Sequence, residues 1–119
     1  MEFFINDPNI ERRSPPAETR LIDLHAEPDA DGKRLRVTLE LTPFQQKPDI
    51  ELSLTNSTGK EISSASIIEP MGWKLELTLH IRKTEENTGK YTLLAILSYP
   101  EIGIVEQRSS IISFPILSQ

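Results

Sequence analysis

The groups that could do chemistry are few. The chain has two histidines, His25 and His80, and no cysteine. Those counts remove thiol nucleophiles, thiolate metal sites, iron–sulfur clusters and disulfide staples together. A zinc site would need carboxylates to complete it, and neither His-x-His nor His-x-x-His occurs. His80 falls among Glu76 and Arg82 on the polar side of an alternating segment, and His25 stands near Asp23 and Glu27. Both read as members of solvated, charge-paired faces. Serines are plentiful, but no Gly-x-Ser-x-Gly elbow exists. Ser63-Ser64 and Ser109-Ser110 lie in expected strands, and Gly59 and Gly89 are isolated turn glycines that build no phosphate cradle. No nucleophile, base and orienter are assembled, so the expectation is a non-enzyme without cofactor.

Three further patterns touch on ligands. Glu27-Pro28-Asp29-Ala30-Asp31-Gly32 opens like a calcium loop, with acids at alternate positions before a glycine. Arg34 then stands where such a loop wants an apolar residue, and Thr38 where it needs a bidentate Glu. A strand-to-strand turn at Asp31-Gly32 is the better reading, and calcium is not expected. Asn56-Ser57-Thr58 matches the N-glycosylation pattern and reads as chance. Trp73, Phe44 and Tyr99 are the aromatics near expected loop ends, where a carbohydrate platform would need them.

The elements around these residues are strands. Leu35, Val37, Leu39 and Leu41 alternate with Arg36, Thr38 and Glu40. Trp73, Leu75, Leu77, Leu79 and Ile81 alternate with Lys74, Glu76, Thr78, His80 and Arg82. A period of two with one polar side means antiparallel sheet, one face buried and one wet. Leu21 to Ala26 forms a short strand with Ile22, Leu24 and Ala26 on one face. Ile50, Leu52 and Leu54 mark another, followed by an Asn56–Lys60 turn. Glu61 to Ile68 reads as an edge or bulged strand, because Ile62 and Ile67 differ in parity. Tyr91 to Tyr99 and Ile104 to Ile116 complete seven strands, with Pro115 confined to a strand end or an edge. The spacing predicts an all-β, antiparallel two-sheet sandwich over residues 20–119. Residues 1–19, with Pro15-Pro16, read as an extended or partly disordered N-terminal arm.

Asn87-Thr88-Gly89-Lys90-Tyr91, at the entry to the strand that follows, resembles the tyrosine corner of immunoglobulin-like and fibronectin-III-like domains. Asn87 stands where that motif usually has Asp, and can build a similar Asx turn. The resemblance implies a positive φ at Gly89 and a packed Tyr91 ring. It also puts Leu93 where antibody-type domains keep their second cysteine. Trp73 lies in the fifth strand rather than the third, so the antibody core is absent. The motif implies a fold and leaves function open.

Charge and length bound the rest. The chain has 119 residues, 13 Lys+Arg and 18 Asp+Glu, for a net charge of −5. A nucleic-acid binder shows a basic footprint, so none is expected. No apolar run reaches the roughly 18 residues of a membrane span, and the start lacks a secretory pattern. The expectation is a cytoplasmic protein with no membrane partner. The Tyr91–Tyr99 strand is apolar on both sides: Leu94 and Ile96 lie opposite Tyr91, Leu93 and Leu97. With Ile111 they form an outer apolar strip that something should cover. The candidates are the Phe3-Phe4-Ile5 arm, a second copy of the chain, or another protein. The leading expectation is a non-catalytic protein-interaction or structural module. The alternative is a small-ligand domain, with carbohydrate as one candidate, using the loops at one end.

Overall fold

The computed structural model describes residues 13–29, 33–68, 70–81 and 89–113. They form seven strands and one short 3-10 turn: β1 (Leu21–Pro28), β2 (Arg34–Leu41), β3 (Asp49–Thr55), β4 (Glu61–Ile68), β5 (Lys74–His80), β6 (Lys90–Tyr99) and β7 (Gly103–Ser113). Two antiparallel sheets result, ordered β1-β2-β5 and β4-β3-β6-β7. The two-sheet sandwich read from the alternation is therefore the fold. In seven-stranded antibody constant domains the fourth strand joins the first, second and fifth. Here β4 pairs with β3 instead, giving sheets of three and four strands.

The core lies between the sheets. Leu35, Val37, Leu39 and Leu41 of β2 are wholly buried. They belong to one cluster with Ile50, Leu52 and Leu54 of β3 and with Tyr91, Leu93, Ala95 and Leu97 of β6. These are the central strands, and each buries every second side chain because the pleat sends alternate residues to opposite faces. The edge strands are less buried: β5 shows only Leu79 fully inside, with Leu75 and Leu77 half-buried against the cluster.

Two bulges shift faces in ways simple alternation misses. β1 pairs Leu21 with Leu41 and Asp23 with Glu40, leaving Ile22 as the extra residue. Ile22, expected on the core face, is therefore exposed, and Leu21 takes the buried place. In β7, Glu106 opposes Leu97 while Ile104 opposes Ser98, so Val105 is the extra residue. That slip turns Ile104 outward and Val105 toward the core. Both features appear on β4, an edge strand whose pairing slips beside Thr55 and leaves Ile62 as the extra residue.

Gly89 has φ +83°, as the corner motif implies, and Tyr91 is buried. A side chain at Gly89 would meet open space, so the glycine is required by its backbone angle alone. Asn87 and Thr88 of that motif, Phe3, Phe4 and Ile5, and Pro115 lie outside the described residues.

Of the expected arm, residues 13–19 are described, and they pack on the β2–β3 connection. Ser14 N–H donates to Pro43 O at 2.7 Å, and Gln45 N–H donates back to Ser14 O at 2.9 Å, a short parallel bridge. Pro16–Glu18 form the 3-10 turn, and Thr19 is fully buried.

Candidate functional site

Three surfaces could carry function: the outer face of the three-stranded sheet, the loop end holding residues 13–20, and the outer face of the four-stranded sheet. Each is set by the register.

On the three-stranded sheet, rows of cross-strand neighbours run Asp23–Glu40–Lys74, His25–Thr38–Glu76 and Glu27–Arg36–Thr78, with Arg34 opposite His80. Acidic and basic side chains are mixed over this face, with the two acids Asp23 and Glu40 side by side. His25 Nε2 lies 3.5 Å from Glu27 Oε2, and Arg36 reaches Glu27 at 3.8 Å and Asp29 at 3.7 Å. Asp29 also meets Arg34 Nε at 3.1 Å. Exposed pairs of this kind contribute little stability each and keep the face wet. The Asp29 carboxylate is thus turned toward two guanidinium groups. Asp31 and Gly32 of the calcium-like stretch lie outside the described residues, and among those described no three His, Asp or Glu side chains converge on a cation site.

The loop end gathers the aromatics. Phe44 and Trp73 meet edge-to-face, with centroids 6.1 Å apart and rings at 89°. The Arg13 guanidinium sits 5.1 Å from the Trp73 ring centre, in cation–π range. Trp73 lies just before β5 instead of beginning it, and its carbonyl accepts the Leu41 N–H at 2.8 Å. It keeps 36% of its surface exposed, and Met71 beside it is exposed. Tyr99 is not part of a platform. It is buried, donates its hydroxyl proton to Gln46 O at 2.7 Å, and lies 3.0 Å from Thr19 Oγ1. Thr19 Oγ1 also lies within reach of Pro15 O at 3.1 Å. One phenol thus joins the 3-10 turn, the β2–β3 connection and the end of β6. Burial pushes the Tyr99 phenol above its ordinary value of 10.0, with the Thr19 hydrogen bond opposing part of the shift; burial alone raises Tyr91.

At the opposite end, Asn56 Oδ1 accepts from Thr58 N, Thr58 Oγ1 and Lys60 N at 3.0, 2.7 and 2.9 Å. Asn56 is buried, and its Nδ2 has no hydrogen-bond partner among the described residues. The glycosylation pattern therefore falls on a side chain folded inward to build its own turn.

The outer face of the four-stranded sheet carries the expected strip. Leu94 lies between Ser53 and Ser109, and Ile96 between Glu51 and Gln107. Ile111 opposes Thr92 and Ile104 opposes Ser98 on that face. Leu94 and Ile96 follow each other along β6, and Ile111 and Ile104 on β7 are their diagonal neighbours at either end, so the four form an arc over two strands, within contact range for large side chains. Leu94 and Ile96 are half-buried, while Ile104 and Ile111 are 56% and 69% exposed. Ile68 extends the same face at the far edge, opposite Asp49, and is 68% exposed. Ile104 and Ile68 were not singled out from sequence; the doubled pairs Ile104-Val105 and Ile67-Ile68 were the available sign.

At the edge of this sheet, β7 turns two charges inward. Arg108 Nη2 donates to Leu21 O at 2.8 Å and Nη1 to Ile22 O at 3.2 Å, while Glu106 accepts the Leu21 N–H. These bonds tie the start of β1, where its bulge lies, to β7 and close the sandwich along one side.

No protein-family model matches the chain, and no curated protein matches it. Among solved structures, 96 chains match. A β-glucuronidase from Parabacteroides merdae aligns with TM-score 0.63 and 18% identity over 82% of this chain and 14% of that one. A β-glucuronidase from Ruminococcus gnavus in complex with uronic deoxynojirimycin aligns with TM-score 0.56 and 14% identity, over 82% of this chain and 16% of that one. The chain thus spans about one-seventh of those proteins. At such identities the likeness establishes the β-sandwich fold and nothing of its chemistry.

Proposed function

We propose that this chain is a non-catalytic interaction module whose contact surface is the outer face of the four-stranded sheet. The observation that carries the reading is the arc of Ile111, Leu94, Ile96 and Ile104, apolar on a face turned away from the core. Sheet faces left to water normally alternate to polar residues, as the three-stranded sheet does with Arg34, Arg36, Thr38 and Glu40. An exposed apolar stripe of this kind marks a contact surface. At about 25 cal/mol per Å2, covering it would contribute a few kcal/mol, enough to support association once polar contacts join in. The presence of the same fold as a minor part of long β-glucuronidase chains is compatible with an accessory role beside another domain.

The test is the Leu94→Glu/Ile96→Glu variant. Both residues point away from the core, so the domain stays folded and loses association. A variant that unfolds, or that associates as the wild type does, overturns the reading.

A second reading rests on the half-exposed Trp73: a carbohydrate contact at the loop end. Arg13 already lies over the ring and Phe44 against its edge, which leaves a reduced stacking surface. Tryptophan fluorescence unchanged across a sugar panel that includes glucuronate would remove this reading.

A further inference from the structure

Four strands end the two sheets: β1 and β5 in one, β4 and β7 in the other. An edge offers a row of backbone donors and acceptors to any extended chain, and proteins block it with charge, proline, bulges or cover. Three of these edges are blocked. β1 carries Asp23, His25, Glu27 and Pro28, has a bulge at Ile22, and is held at its start by Glu106 and Arg108. β5 carries Lys74, Glu76 and His80. β7 carries Glu106 and Arg108 and slips register at Val105.

Among the described residues, β4 has none of these devices along most of its length. From Ile62 to Ile68 it reads Ile-Ser-Ser-Ala-Ser-Ile-Ile, with no charge and no proline. Its pairing with β3 runs without interruption from Ile68 to Ser63, and the slip is confined to its first residues. Among the described residues, β3 is its one sheet partner. Ser64 and Ser66 are exposed on the outer face, and Ser63, Ala65 and Ile67 are half-buried on the core side.

We propose that this edge pairs with β4 of a second copy of the chain, antiparallel about a two-fold axis centred on Ala65. The segment suits its own image. Ala65 would face Ala65 of the second copy, Ser64 would face Ser66, and Ser63 would face Ile67, each pair on one face of the joined sheet. No charge falls within those five positions. The two four-stranded sheets would become one of eight strands, and Ile68 of each copy would extend the apolar outer face across the seam. This surface is separate from Leu94 and Ile96, so the two proposals stand or fall independently.

The experiment is sedimentation equilibrium of the full chain at rising concentration, beside two variants, Ser64→Lys/Ser66→Lys and Ser64→Glu/Ser66→Glu. Both positions are exposed, and folding is checked by circular dichroism. The wild type is expected to show a monomer–dimer equilibrium. Each variant alone sets like charges opposite one another twice and should associate about tenfold more weakly. Mixing the two variants should restore association, because opposite charges then meet across the seam. Leu94→Glu/Ile96→Glu should leave the dimer intact. A wild type that stays monomeric at its highest soluble concentration overturns the proposal, whether or not it accepts an added peptide strand. So does a dimer indifferent to both Ser64/Ser66 variants, or one that mixing fails to restore.

Discussion

Removing the Tyr99 hydroxyl tests whether the segment before β1 is built into the sandwich. Tyr99→Phe keeps the buried ring and deletes the donor to Gln46 O and the contact with Thr19 Oγ1. Gln46 is exposed, so water can reach its freed carbonyl, and that loss is an ordinary net hydrogen bond of about 1 kcal/mol. Thr19 is fully buried but keeps Pro15 O within reach, so its loss is partial. The sum is about 1–2 kcal/mol, which lowers Tm by roughly 4–8 °C for a chain of this length. Thr19→Val should cost a comparable amount. Because the two side chains share one hydrogen bond, Tyr99→Phe/Thr19→Val should cost less than the two single changes added together, by about 0.5 kcal/mol or more. Thermal melts followed by circular dichroism give all three values. Strict additivity of the pair, or a Tyr99→Phe protein as stable as wild type, would refute the account of this junction.

Other outcomes follow from the core, the clamp and the buried phenols. Leu93→Ala empties a wholly buried site between the sheets and should cost about 2–5 kcal/mol, read from urea midpoints. Arg108→Ala removes the donors to Leu21 O and Ile22 O; hydrogen exchange at Leu21 to Leu24 should speed up while exchange in β2 and β3 stays slow. Tyr91 and Tyr99 both have raised folded-state values, so the neutral phenol is the form that folding favours. Their contribution is complete below the unfolded value near 10.0 and is lost as pH climbs through the raised folded values. Stability should therefore fall above that point, and Tyr99→Phe should flatten part of the fall.

Much of the sandwich was legible because β2, β3 and β6 are central strands, and burial enforces a strict period of two on them. The edges were harder. Ile22 looked like a core residue because its parity matched Leu24, yet one bulge moves it to solvent and leaves its carbonyl to Arg108. A bulge is a backbone event, and Ile22 carries no sign of it. The same holds for Ile104, turned outward by the slip at Val105. The outer placement of Leu94 and Ile96 was legible from parity alone, since β6 runs regularly from Lys90 to Leu97. The meeting of Arg13 with Trp73 was not, because it joins residues 60 positions apart through a connection with no periodic pattern. The sheet assignment of β4 was equally hidden: its Ser-rich sequence is compatible with either edge, and hydrogen-bond pairing alone decides it.

The central claim is that the outer face around Leu94 and Ile96 is a contact surface. The most direct measurement immobilises wild type and Leu94→Glu/Ile96→Glu side by side, both shown to be folded, and compares what each retains from a lysate of the source cells. The account predicts a partner held by wild type and lost by the variant, with Ser64→Lys/Ser66→Lys still holding it. The same proteins captured equally by wild type and Leu94→Glu/Ile96→Glu would contradict it.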